Sequence, residues 1–362
     1  MIAPRIEIDL AAIEHNTTVV AKRLSKRGLT ITGATKATLG SPDVAKAMIR
    51  GGATRIGDSR IENLEALAEA GLRVPLVLLR SPSPSQADRV VACAQVSLVS
   101  EVEVVRALSD AAGRIGATHG IVLMIELGDL REGVMPADVL DLARTISRTH
   151  HLALVGVGTN LACRNGVVPG DEQMSLLSAH ATLLRSRLHL PLPYITGGNS
   201  ANLGWAFGRN PVGAVTDLRL GEALLLGVDP LTRAPIEGLR TDAFTVVGEV
   251  IESRVKPTAP WGALGEPAFG APRPPRDRGT IVQTIVSLGR QDVDPDGVRP
   301  PVGATVLAAT SDHLILETPA VVTPGTEMRF GVNYSALVRA MTSPFVAERL
   351  VTPVSSDAML AS

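Results

Sequence analysis

The chain has 362 residues, with 35 Lys plus Arg against 36 Asp plus Glu, a formal net charge of −1. There is no cationic excess to neutralise a phosphate backbone, so nucleic-acid binding is excluded as a first reading. Two cysteines, Cys93 and Cys163, supply neither a disulfide framework nor a four-cysteine metal site. Aromatic residues make up only 2% of a chain that is 45% hydrophobic, so its core must be aliphatic.

At roughly 150 residues per domain, the length suggests two domains or one large barrel with an appendage. The opening run Met-Ile-Ala-Pro-Arg-Ile-Glu-Ile-Asp-Leu reaches charge too soon for a signal peptide. The apolar runs are also too short to span a bilayer, so a cytoplasmic protein is expected.

From residue 30 onward, short β-branched runs alternate with segments of helical period. Eight strands are predicted: Thr30–Lys36, Thr54–Asp58, Val74–Arg80, Val96–Ser100, Gly120–Leu127, Leu152–Asn160, Tyr194–Ser200 and Asp217–Leu220. Helices are predicted between them, for example over Pro42–Arg50, Ile61–Ala70, Glu101–Arg114 and Asp171–Arg187, with a weaker one at Ala201–Phe207. Such alternation implies a parallel sheet with crossover helices. The count of eight, without a Gly-x-Gly-x-x-Gly opening the first helix, favours an α/β (β/α)8 TIM barrel over an open doubly wound sheet.

The barrel is assigned to residues 1–232, with a first strand near 5–10 that has the option of packing with the second domain. Residues 233–362 read as a mostly antiparallel β domain, with runs at Phe244–Ser253, Thr280–Leu288, Thr305–Ala308 and Leu314–Glu317. Residues 257–301 contain nine prolines, and Pro257–Gly279 is expected to be a long loop. Its Arg273, Arg276 and Arg278 read as a solvated face.

Chemistry in such barrels sits at the C-terminal ends of the strands. Lys36 closes the first barrel strand. Desolvation there would free its amine as a nucleophile, and a rim lysine snorkelling to water is the alternative. Ile195-Thr196-Gly197-Gly198-Asn199-Ser200 forms a glycine-rich turn whose backbone N–H groups suit a phosphate; an ordinary Gly-Gly turn is the competing view. Arg219 interrupts an apolar stretch and needs an acceptor, with an ion pair to Glu222 or Asp217 as the structural alternative. A lysine, a phosphate cradle and a buried arginine on one face fit pyridoxal 5′-phosphate.

These residues resemble the alanine racemase-like, fold-type III pyridoxal-phosphate enzymes, most nearly the alanine/ornithine racemase branch. The resemblance runs from Pro4–Leu10 and Thr35-Lys36 through Gly57–Asn63, Leu127–Gly133, Gly158–Leu161 and Gly197–Ser200 to Arg219–Glu222. It resumes at Ala268–Gly270, Gly289–Val293, Ser311–Leu314 and Ala340–Pro344. It implies an amino-acid racemase inverting Cα through a Lys36 aldimine. It also implies phosphate binding by Ser200 and the backbone of Gly197, Gly198, Gly221 and Glu222, with Asn199 alongside. Arg219 would face the ring nitrogen and Arg131 would lie near the phenolate oxygen. A head-to-tail homodimer is implied, with Asp292 and Asp312 acting in trans.

Two positions depart from the family pattern. Arg290 stands where the family has a tyrosine base, and Asn160 replaces a histidine near the ring. The second base is therefore sought elsewhere. Cys163 is the candidate, against the alternative of a small buried core cysteine, with His313 and Tyr334 as further options. Asp129, Glu132 or Asp292 would receive a basic substrate side chain. Other activities on the scaffold remain open: a metal-free aldolase or epimerase, or a pyridoxal-phosphate protein with little turnover. A metal-assisted relative is disfavoured, because Asn333-Tyr334-Ser335-Ala336 offers no ligand.

Overall fold

The structure is a computed structural model that describes residues 3–269 and 277–351. It divides into two compact units. One comprises residues 11–241 and the other residues 1–10 with 242–362. The division thus falls at 241/242 rather than at 232, and the chain start joins the second unit.

The chain begins with β1 (Arg5–Asp9) and α1 (Leu10–Ser25). It then alternates through β2 (Thr30–Ala34), α2 (Pro42–Arg50), β3 (Arg55–Asp58), α3 (Ile61–Glu69), β4 (Leu76–Leu78), α4 (Ala87–Cys93), β5 (Val96–Val99), α5 (Val102–Arg114), β6 (His119–Met124), α6 (Val139–Arg148), β7 (Leu152–Gly158), α7 (Asp171–Leu188), β8 (Tyr194–Thr196), α8 (Leu203–Ala206), β9 (Asp217–Leu220) and α9 (Glu222–Leu226). Strands β2 to β9 close into an eight-stranded barrel of parallel neighbours. Closure between β2 and β9 sets Thr30 opposite Asp217 and Thr32 opposite Arg219.

Local sequence explains the helices. α2 starts at Ser41, whose hydroxyl accepts from the Val44 N–H, and Pro42 follows in the first turn. α6 buries Val139, Ala143 and Ile146 on one stripe, while Asp141 and Arg144 pair on its solvent side. α1 was not predicted, because Thr17-Thr18-Val19-Val20 dilutes its helical signal with β-branched residues. It still buries Ile13, Val20 and Leu24 completely.

The second unit is built on β10 (Phe244–Pro257), β11 (Thr280–Val286), β12 (Val298–Arg299), β13 (Thr305–Ala309), β14 (Leu314–Thr318), β15 (Glu327–Val332), α10 (Tyr334–Thr342) and β16 (Ala347–Val351). Its pairings are antiparallel except for β1 with β16. Phe244, Phe330, Ile6 and Ile8 fill its core. β10 ends at Pro257 and β11 starts at Thr280, and of the loop expected between them residues 270–276 lie outside the described residues. Of its three arginines, Arg278 pairs with Glu317 at 2.6 Å, while Arg273 and Arg276 lie outside the described residues. The run at Asn333 proves to be a cap: its side chain accepts from the Ala336 N–H at 2.9 Å and starts α10.

β1 carries a buried ionic cluster. Arg5 bonds Glu7 at 2.9 Å and grips Glu327 with two bonds of 2.7 Å, and Arg329 also bonds Glu7. Burial alone would raise the Glu7 pKa, but Arg329 and Arg5 together bring it below its ordinary 4.5. A carboxylate lowered in the folded state stabilises above its unfolded pKa and loses that contribution as pH falls through the folded value. Glu7→Ala, which removes one of the two carboxylates on Arg5 while Glu327 keeps its two bonds, is expected to cost about 1–3 kcal/mol. Urea denaturation checks this, and the loss relative to wild type should shrink on acidification below the ordinary carboxylate range.

Candidate active site

Polar side chains converge on the C-terminal mouth of the barrel. Strand β2 ends at Ala34, and a short 3-10 turn over Lys36–Thr38 follows. The turn is anchored from below. Thr35 donates to the Asp58 carboxylate at 2.8 Å, and Asp58 also accepts from the Arg60 N–H and the Asn63 amide. Burial pushes the Asp58 pKa up against these bonds. Lys36 itself is exposed, so these walls do not supply the desolvation expected of it. Its amine makes no hydrogen bond to another described residue, although its positive charge is felt by Glu222.

Arg219 is buried, with 5% of its surface exposed. Alternation along β9 turns it and Asp217 to the same side, into the barrel. Its guanidinium spans three strand ends. Nη1 donates to the Thr196 hydroxyl at 2.6 Å, and Nη2 donates to the Thr159 carbonyl at 2.7 Å and to Asn160 Oδ1 at 3.4 Å. The ion pair considered from the sequence does not form: Glu222 bonds Arg233 at 2.6 Å, and the nearest cation to Asp217 is Arg55 at 3.7 Å. Burial lowers the Arg219 pKa, opposed first by Tyr194 and then by Asp217. The Thr159 hydroxyl is buried without a hydrogen-bond partner among the described residues.

The glycine-rich turn follows β8. Gly198 has φ +142°, and a Cβ there would lie 2.1 Å from Asn202 Oδ1, so the turn requires glycine. The Asn199 carboxamide oxygen accepts from the Ala201 N–H at 2.8 Å. Ser200 Oγ accepts from the Gly221 N–H at 3.3 Å and the Ala223 N–H at 3.1 Å, which leaves its hydroxyl hydrogen free to donate. Gly197, Gly198, Asn199, Ser200, Gly221 and Glu222 are thus drawn together by the ends of β8 and β9. The Glu222 carboxylate is turned to Arg233, so only its backbone remains for a ligand.

Two acidic side chains shape the loops beyond β6 and β7. Glu126 accepts from the N–H groups of Gly128, Leu130 and Arg131, folding the loop that carries Arg131. Arg131 bonds its neighbour Glu132, and the charges of both reach Arg219. Asp129 is fully buried and accepts from the N–H groups of Cys163, Arg164, Asn165 and Val167. Burial would raise its pKa, but the four donors hold it below the ordinary value. They also fix Cys163.

Cys163 is exposed, not a core cysteine. Asn199 Nδ2 donates to its sulfur at 3.5 Å, to the Leu161 carbonyl at 2.8 Å and to Asn160 Oδ1 at 3.2 Å. A continuous polar line therefore joins Arg219, Asn160, Asn199 and Cys163.

The other candidates belong to the second unit. Arg290 donates to the Ala309 carbonyl at 3.3 Å and lies over the Phe269 ring at 5.2 Å. His313 is half-buried and sits 3.1 Å from Asp312. Tyr334 is the first residue of α10. Asp292 accepts from the Gly289 N–H at 2.8 Å and from the Ser343 hydroxyl at 3.5 Å. The three carboxylates proposed to receive a basic side chain are thus already engaged: Asp129 by backbone, Glu132 by Arg131, and Asp292 by its own loop. Sequence reasoning missed Glu126, and it placed Thr159 and Thr196 at strand ends without their bonds to Arg219. The two-residue alternation that places Asp217 beside Arg219 was the available signal for a buried network.

A closed parallel barrel with an amine, a glycine-rich cradle and a buried guanidinium at its mouth defines an enzyme of the alanine racemase type. The match to known proteins agrees. Residues 8–229 fit the family model described as alanine racemase, N-terminal domain. The chain is 35% identical to lysine racemase of Thermotoga maritima, over 98% of this chain and 99% of that protein. It is 32% identical to ornithine racemase of Acetoanaerobium sticklandii, over 96% and 99% respectively. Among solved structures, alanine racemase from Streptomyces coelicolor A3(2) superposes with a TM-score of 0.77 at 20% identity, covering 96% of this chain and 98% of that one. The chain belongs to the alanine racemase family, and its class is that of the amino-acid racemases, which are isomerases.

If Asp129 holds the Cys163 loop, Asp129→Ala should release it. Amide hydrogen exchange of Cys163, Arg164, Asn165 and Val167 is expected to rise on the order of tenfold or more, while barrel-strand amides stay protected.

Proposed function

We propose that this chain inverts Cα of a basic amino acid, of the ornithine and lysine class, with pyridoxal 5′-phosphate bound at the barrel mouth. The observation that carries the proposal is the polar line from Arg219 through Asn160 and Asn199 to Cys163, at the barrel end where Lys36 begins the turn that follows β2. The basic substrate class rests on near-full-length likeness to proteins named lysine racemase and ornithine racemase.

The residues present fit the cofactor. A free primary amine suits an aldehyde. The Ser200 hydroxyl and the close-packed turn at Gly197, Gly198 and Gly221 suit a phosphate. A guanidinium bonded only to neutral acceptors suits a ring nitrogen. When bound, the cofactor supplies the covalent link to the substrate amine and the electron withdrawal that acidifies the Cα–H bond.

The chain's own groups do the rest. Lys36 Nζ takes the Cα proton on one face. The Cys163 thiol gives one back on the other, and Asn199 fixes its sulfur by a hydrogen bond. Arg219 stays cationic at any working pH, so it donates and never accepts. Arg131 is assigned to the cofactor's phenolate oxygen, and Asn160 holds Arg219 in place. A head-to-tail homodimer in which Asp292 and Asp312 act in trans belongs to the same proposal. So does a cytoplasmic setting, in keeping with two free thiols.

Deuterium incorporation at Cα with inversion, measured over a panel that includes ornithine, lysine and alanine, tests the reading. Inversion of the basic amino acids is expected, and no exchange with any of them would sink it. Lys36→Ala should abolish the cofactor's covalent absorption band together with turnover. Cys163→Ala should lower kcat by about 10²–10⁴-fold, with exchange persisting from one enantiomer only.

A further inference from the structure

Beneath Arg219 the barrel encloses a second charged side chain. Asp217 is fully buried. Its carboxylate accepts from Thr32 at 3.0 and 3.1 Å, from Thr30 at 3.0 Å and from Thr196 at 3.3 Å. The Thr196 hydroxyl has one hydrogen to give. It accepts from Arg219 Nη1, so that hydrogen is available for Asp217, and the two charged groups are joined through a single oxygen.

We propose that Asp217, acting through the Thr196 hydroxyl, sets how far the fixed positive charge of Arg219 is offset beneath the barrel mouth, and so is a positioning residue for the proposed reaction. This rests on the cofactor reading above. The titratable groups facing Asp217 among the described residues are Arg55 from β3, Tyr194 from β8 and Arg219 from its own strand. Arg55 lies 3.7 Å from the carboxylate and stacks over the Tyr194 ring at 4.6 Å. The Tyr194 hydroxyl, 2.9 Å from Thr32, has its pKa pushed up by burial and then by Asp217, so it stays neutral. An ionised Asp217 therefore leaves this group, of which Arg55 is only partly buried, with one net positive charge, and a protonated one leaves it with two.

Protonation also reverses a hydrogen bond. A neutral carboxyl donates to one of its hydroxyl neighbours. If that neighbour is Thr196, its oxygen receives from both Asp217 and Arg219 and its own hydrogen must turn elsewhere. Burial raises the Asp217 pKa to about 6, against the pull of Arg55 and the threonines. A carboxyl raised in this way costs the fold stability as pH climbs from its ordinary 3.8 toward that value. The charge is thus held at neutral pH at a cost to the fold, which is the usual setting of a group kept for function.

The test uses the full chain loaded with pyridoxal 5′-phosphate. The cofactor's absorption band and kcat are followed from about pH 5 to about pH 8. Wild type is expected to show a step in band position with a midpoint near about 6. Asp217→Asn, neutral throughout, should hold the band at its acid-side position over the whole range. Thr196→Val should remove the step or displace it by at least about one pH unit, a tenfold change in proton affinity, and Thr196→Ser should restore it. Should Asp217→Asn fail to fold, the contrast between Thr196→Val and Thr196→Ser decides.

A step unchanged in both Asp217→Asn and Thr196→Val overturns the inference, as does a lowered melting temperature with an unmoved pH profile. A band without any step in wild type sinks this inference alone. Absence of any band sinks the cofactor reading and this inference with it.

Discussion

The geometry of the barrel mouth depends on a buried guanidinium that is bonded directly only to neutral groups. Arg219 reaches from β9 across β8 to the end of β7, and every one of its side-chain bonds ends on a hydroxyl, a carbonyl or a carboxamide. A buried charge without good partners is costly, so those acceptors have to stand where the guanidinium fork can meet them. Thr159, Asn160 and Thr196 are at such positions because parallel strands in register end at one level. The same guanidinium links the carboxylate below it, through Thr196, to the Asn160–Asn199–Cys163 line at the mouth.

Around that centre, buried acids serve backbone rather than substrate. Glu126 and Asp129 each accept several N–H groups of irregular loops that would otherwise bury unpaired donors. Asp58 accepts the Arg60 N–H and, through the Thr35 hydroxyl, anchors the start of the turn that carries Lys36. This explains why carboxylates that look available in the sequence are occupied in the folded chain. It also explains how an exposed cysteine in a loop keeps a defined position: its N–H is held by Asp129 and its sulfur by Asn199. The mouth combines strand ends with two clamped loops.

In the second unit, the first strand is laid between β10 and β16, so the two ends of the described chain meet in one sheet. Arg5 and Glu7 are buried there among Glu327 and Arg329. Short-range patterning found the central runs of this unit. β15 and β16 escape short-range patterning, because Glu327–Val332 alternates charged and apolar residues only briefly and Ala347–Val351 does not alternate, and pairing partners supplied by distant chain segments stabilise them.

The amino-acid sequence by itself determined the eightfold alternation, and all eight predicted barrel strands form, though most end sooner than the apolar runs do. It did so because period-2 and period-3.6 burial are local properties, legible wherever apolar residues recur at the right spacing. Lys36, Arg219 and the Gly197–Ser200 turn were legible for a related reason: each interrupts a local pattern at a strand end. Only the tertiary structure decided which polar groups meet. Arg219 shares Thr196 with Asp217 rather than pairing with an acid directly. Asp129 is spent on the backbone of residues 163–167, and Cys163 is out in a loop beside Asn199 instead of in the core. These outcomes turn on hydrogen-bond directions and on distances between strands far apart in sequence, which barrel closure sets and no residue spacing encodes.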